Sequence, residues 1–152
     1  MCRCDLVFNE FYWSDLASKK TKNITKETGV YVVRIRERNN SVENVISNTI
    51  NLFQKSHWEP LLNHISNRIN RLRKIKDCPI IYIGAAPSGL RNRYKDLCGR
   101  RHTVFFPILA LLLDDWKLDF GWHETNEALK NEMKLKEQYY QIHGCNPALV
   151  YR

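Results

Sequence analysis

Lysine and arginine number 24 against 16 acidic residues, giving a formal charge of +8 and a pI near 9.4, so a polyanion is the first partner to consider. Several side chains could act on its phosphodiester links. Two phenols occupy similar tripeptides, Gly29-Val30-Tyr31 and Tyr82-Ile83-Gly84; a guanidinium follows at Leu90-x-x-Arg93; and the carboxylates of Glu132 and Glu137 stand five residues apart. A phosphodiester is an anion attacked by a poor nucleophile, so cleavage requires a water to lose a proton and charge to be absorbed on the phosphate and the leaving oxygen. Arginine, always charged and fork-shaped, suits a non-bridging phosphate oxygen. A hard divalent ion keeps several waters and needs as few as one or two protein carboxylates. His102, nine residues past Arg93, offers a neutral imidazole able to relay a proton, although the commoner fate of a histidine in a basic turn is the surface.

In order and spacing these residues resemble the GIY-YIG nuclease family, from about Gly29 to the C-terminus apart from a helical stretch between the two tripeptides. Family members follow the second tripeptide with a short loop, a leucine, two residues and an arginine; here this reads Tyr82-Ile83-Gly84-Ala85-Ala86-Pro87-Ser88-Gly89-Leu90-Arg91-Asn92-Arg93. Nearer the end they show Glu-Ala-x-x-x-Glu, an apolar helical continuation and Pro-x-x-Asn, beside which stand Glu132-Met133-Lys134-Leu135-Lys136-Glu137 and Pro147-Ala148-Leu149-Val150. The resemblance implies a metal-dependent endonuclease that hydrolyses DNA. It makes Tyr31 the general base, Arg93 the phosphate stabiliser and Glu137 the ligand of Mg²⁺ (or Mn²⁺), with Tyr82 holding the water or a phosphate oxygen. The Tyr31 phenol, ordinarily near a pKa of about 10, is then expected to be lowered by neighbouring cations. Two departures matter: Ala85 stands where many members carry a lysine, and Val150 where they carry asparagine. They sustain a second reading, a catalytically inactive GIY-YIG-like module that binds nucleic acid. Glu132, about 140° from Glu137 on a helix, reads as a supporting or surface residue, and Glu127 and Asp119 as solvated acids.

Three strands must position these groups. Val30 to Ile35 and Pro79 to Gly84 are rich in β-branched and aromatic residues, and Lys117 to Glu124 alternates apolar with polar. Between the first two strands, residues 39–77 carry apolar residues at helical spacing, and two helices divided near Pro60 are expected there. Further helices are expected from Ser88 to Gly99, from Pro107 to about Trp116, and from Asn126 to His143, each bounded by capping residues or a proline. The expected class is α+β: one domain over 1–152, with a small three-stranded mixed or antiparallel sheet flanked by helices, a lead-in over 1–27 and the helical insertion over 39–77.

The longest apolar run, Val104 to Leu113, is ten residues and too short to span a bilayer, and no leader-like start is present, so an intracellular, cytoplasmic chain is expected, reaching the nucleoid or nucleus with its DNA. Five cysteines without a CxxC read as reduced, mostly structural thiols, and Cys2-x-Cys4 is too short for the usual zinc knuckle. The phosphate contacts are expected from Arg91, Lys95, Arg100, Arg101, Arg68 and Arg71, with Lys19 and Lys20 adding charge. Because Arg152 closely follows the last motif, specificity is expected to come from the insertion, the N-terminal segment or a partner, and the insertion is also the expected place for homodimer formation.

Overall fold

In a computed structural model, which describes residues 2–18, 21–53, 59–75, 77–99, 102 and 104–150, the three expected strands form. They are β2 (Gly29–Glu37), β3 (Ile80–Ala86) and β4 (Lys117–Glu124), each extended one or two residues beyond the most apolar stretch or matching it. A fourth strand, β1 (Tyr12–Asp15), lies within the expected lead-in and adds to the edge, so the sheet has four strands rather than three. Its order is β1-β4-β2-β3 and every pairing is antiparallel. Trp13 of β1 faces Gly121 in register, and the Arg34 guanidinium lies 3.7 Å over the indole ring, which holds the edge strand flat on its neighbours.

Six helices complete the described residues: α1 (Cys4–Val7), α2 (Val42–Phe53), α3 (Glu59–Asn70), α4 (Leu90–Leu97), α5 (Phe105–Leu113) and α6 (Ala128–His143). The insertion supplies α2 and α3, the latter tightening into a 3₁₀ turn at Arg71–Arg73. Helix α4 begins two residues later than Ser88 suggests, after Gly89 at φ 120°. Its first amides find their acceptors in the segment before β2, where Leu90 N–H donates to Glu27 O and Arg91 N–H to Thr25 O, so no side-chain cap is needed.

Strand alternation divides the core into two layers. Tyr31, Val33 and Ile35 of β2, with Leu118 and Phe120 of β4, meet Val45 of α2, Ile65 and Ile69 of α3, Leu90, Tyr94 and Leu97 of α4, and Ile108 and Leu111 of α5. On the opposite face Val32 and Ile83 meet Cys4 and Phe8 near the N-terminus and Leu135, Tyr139 and Ile142 of α6. After α6 the chain rounds the outer edge of β3, where Leu149 N–H donates to Ile81 O. Among the described residues no helix is long and apolar enough to cross a membrane.

Candidate functional site

Tyr31 sits mid-strand on β2, directly opposite Gly84 of β3. A Cβ at Gly84 would lie 2.5 Å from the Tyr31 hydroxyl, so only glycine leaves room for the phenol to reach across the neighbouring strand. Tyr82, two residues back on β3, shares that face, and the two rings lie 5.8 Å apart. His102, in the connection between α4 and α5, turns its edge to both, 6.2 Å from Tyr31 and 5.4 Å from Tyr82 between ring centres.

The imidazole is fixed from both sides. The backbone N–H of Val104 donates to Nδ1 at 3.1 Å, and Nε2 lies 2.7 Å from the Tyr31 hydroxyl. A neutral imidazole has one donor and one acceptor nitrogen, so the Val104 amide assigns the proton to Nε2, which donates to Tyr31 Oη. Burial, helped by the nearby Arg93 charge, pulls the His102 pKa down to about 4, so the ring is neutral at pH 7. Far from a surface residue, it is 3% exposed.

Burial also pushes the Tyr31 phenol well above its usual 10, and neighbouring Tyr82 adds to this. Arg93 works in the lowering direction and does not prevail, contrary to the expectation that cations would bring the phenol down. Arg93, on the first turn of α4, lies beside both tyrosines with its side chain 35% exposed. Its Nη1 is 3.9 Å from Asp96, while Nε is buried without a hydrogen-bond partner. Its exposed guanidinium edge beside two hydroxyls is of the type that can hold an anion.

Tyr31, Tyr82, Arg93 and His102 are thus brought together from four places in the chain. Glu137 is not among them. It is exposed on α6, two residues from both Leu135 and Tyr139 and so about 200° round the helix from each, while those two face the sheet side opposite Tyr31. Of the glutamate pair, Glu132 is the one turned inward: it is 21% exposed and bonded to Lys136 at 2.9 Å. Its flank of α6 continues through Lys136 to Tyr140, which shares a cavity of about 290 Å³ with Arg71 and Ala148 at the outer edge of β3.

The expected phosphate contacts fare unevenly. Arg68 is buried, Arg91 donates through Nε to Ile24 O at 2.9 Å, and Arg71 donates through Nη1 to Val150 O at 2.8 Å, so all three serve the fold. Lys95 is exposed on α4. Arg100, Arg101, Lys19 and Lys20 lie outside the described residues. Asp119, read as a solvated acid, is instead 4% exposed and held by Arg34 at 3.0 Å and Arg36 at 2.8 Å.

Among the described residues, only Cys2, Cys4, Cys78 and His143 form a group of three or more potential metal ligands, their donor atoms all within 4.8 Å of one another. Hydrogen bonding from Cys4 draws the Cys78 thiol down to about 6, while that same contact, then burial, drive Cys4 far up. Soft thiolates do not suit Mg²⁺ or Mn²⁺. Sequence reading missed the cluster because its members lie far apart along the chain. No family model, curated protein or solved structure matches this chain.

Proposed function

We propose that the chain is a DNA endonuclease of the GIY-YIG kind, holding the scissile phosphodiester against Arg93 and Tyr82 over the Tyr31–His102 pair. What carries the reading is the convergence of Tyr31, Tyr82 and Arg93, three of the residues named by the resemblance, with His102 from the α4–α5 connection. Arg93 offers the exposed edge of its guanidinium to phosphate oxygens. Tyr82, half-buried at the edge strand, offers a hydroxyl to a phosphate oxygen or a water. Tyr31 is wholly buried and accepts a hydrogen bond from His102, which leaves its own proton for a partner on the other side. At neutral pH it is therefore a positioning and donating group, not the ready base that the resemblance implies.

Mg²⁺ or Mn²⁺, when bound, supplies the charge that activates a water. Glu137 does not fit that ion, because it points away from the sheet on the wrong face. Glu132 does not fit it either, since it lies on the same helix, packed on the sheet face opposite Tyr31, and is paired with Lys136 at 2.9 Å. A second reading, the inactive nucleic-acid-binding module, draws on the same observations: among the described residues no glutamate pairs or hydrogen-bonds with the four-residue cluster, and burial holds the Tyr31 proton in place.

Relaxation of supercoiled plasmid with Mg²⁺ or Mn²⁺ tests the proposal. Nicking by the parent that falls about 100-fold or more in Arg93→Ala supports the nuclease, in line with the loss of one charge-stabilising donor. No nicking by a folded parent that still binds DNA in a salt-sensitive way supports the binding module and ends the nuclease reading.

A further inference from the structure

The layer opposite Tyr31 contains a second assembly of reactive side chains. Cys2 and Cys4 flank the start of α1, Cys78 precedes β3, and His143 is the last residue of α6, where Gly144 at φ 73° ends the helix in a left-handed turn. Three otherwise separate pieces of chain meet there. The Nε2 atom of His143 lies 3.4 Å from Cys2 Sγ and 3.3 Å from Cys4 Sγ, and all four donor atoms, Cys78 Sγ included, fall within 4.8 Å. Tetrahedral zinc with Zn–S of about 2.3 Å and Zn–N of about 2.0–2.1 Å sets ligand atoms roughly 3.5–3.8 Å apart. The two S···N distances from His143 already match that spacing, and the remaining pairs need to close by at most about 1.3 Å.

We propose that Cys2, Cys4, Cys78 and His143 bind one zinc ion as a closed Cys₃His site that ties the N-terminal segment and the end of α6 to the start of β3. Three sulfurs and an imidazole select zinc among common divalent ions, and four protein ligands leave no open position, so the ion is structural and takes no part in hydrolysis. The surroundings fit such a centre. Cys4 and Cys78 are buried, whereas Cys2 and His143 are half-buried, which keeps a route for the ion. The Tyr139 ring lies 4.4 Å from the His143 ring at a 45° tilt, and its hydroxyl, in a side chain 1% exposed, has no hydrogen-bond partner although Cys78 and Cys4 are among its neighbours. An orphaned buried donor beside sulfurs is suited to a metal-bound thiolate, the outer contact that orients ligands at such centres. The two sulfurs of Cys2-x-Cys4 reach the same point because their segment turns immediately, with Cys4 N–H donating to Cys2 Sγ at 3.4 Å.

The test uses the full chain expressed without a polyhistidine tag. Elemental analysis should find about one zinc per chain, and Co²⁺ exchanged into the parent should give the intense thiolate-to-cobalt absorption of a tetrahedral sulfur-rich site. Cys78→Ser and His143→Ala should each lower zinc affinity about 100-fold or more, and Tyr139→Phe about 10-fold while staying folded. A folded parent that neither retains nor takes up zinc, gives no cobalt–thiolate band, and keeps its melting temperature on chelation would overturn the assignment. So would a mass two hydrogens light that shows Cys4 and Cys78 joined as a disulfide. None of these readouts depends on DNA cleavage.

Discussion

His102 has a backbone donor on one nitrogen and a phenol on the other, so a proton added to its ring must break the Val104 contact. Its folded pKa of about 4 lies below the 6.5 of an unhindered histidine. Between those values the unfolded chain takes up a proton that the folded chain declines. Stability is therefore complete above pH 6.5 and is lost as pH falls towards 4, by up to about 1.4 kcal/mol per pH unit. Denaturant melts of the parent and His102→Asn across pH 4 to 7 should show that acid slope only in the parent; equal slopes would show that His102 is not buried neutral. The cluster around it was legible from the order and spacing of Tyr31, Tyr82 and Arg93 along the chain, which need no knowledge of packing. Tyr31's protonation was not, because burial outweighs the guanidinium and cannot be counted from sequence. The placement of Glu137 was within reach: it lies opposite Ala128, Leu135 and Tyr139 on the helical wheel, so the apolar stripe of α6 already turned it outward.

The sheet owes its central register to a buried carboxylate. Asp119 on β4 accepts from Arg34 and Arg36 on the neighbouring β2, and Arg36 also reaches Asp15 of β1 at 3.5 Å, so one charge group spans three strands. The arginine side chains are 34% and 44% exposed, which softens their loss, whereas the acid is buried. Asp119→Ala should cost about 1–3 kcal/mol by thermal or chemical unfolding, more than Asp15→Ala; a change within error would assign the register to the apolar contacts alone. Two of the long strands were plain in the sequence from their runs of β-branched and aromatic residues, and the third from its alternation of apolar and polar residues. β1 was not, for Tyr12-Trp13-Ser14-Asp15 is short, half-exposed and stabilised by what it lies against. The helix starts moved for a related reason: α4 takes its first acceptors from a distant segment, so Ser88 had no capping to do.

The whole molecule separates its chemistry by face. Tyr31, Tyr82, His102 and Arg93 belong with α4, α5 and the insertion helices, and the thiol cluster belongs with α1 and α6. The α+β class was legible from the mixture of periods, while the fourth strand and the four-residue thiol group arise from contacts between segments remote in sequence. A net charge of +8 predicts DNA affinity that falls steeply with salt. Because Lys95 is exposed while Arg68 is buried, Lys95→Ala should reduce the slope of log affinity against log salt by about 1; an unchanged slope would place the DNA elsewhere. The sharpest measurement compares Mg²⁺-dependent plasmid nicking by Arg93→Lys and Glu137→Ala, both verified as folded. Loss of roughly 100-fold in the arginine variant, with the glutamate variant matching the parent, is the predicted result. Full activity in Arg93→Lys together with a dead Glu137→Ala would contradict a phosphodiester site on the Tyr31 face.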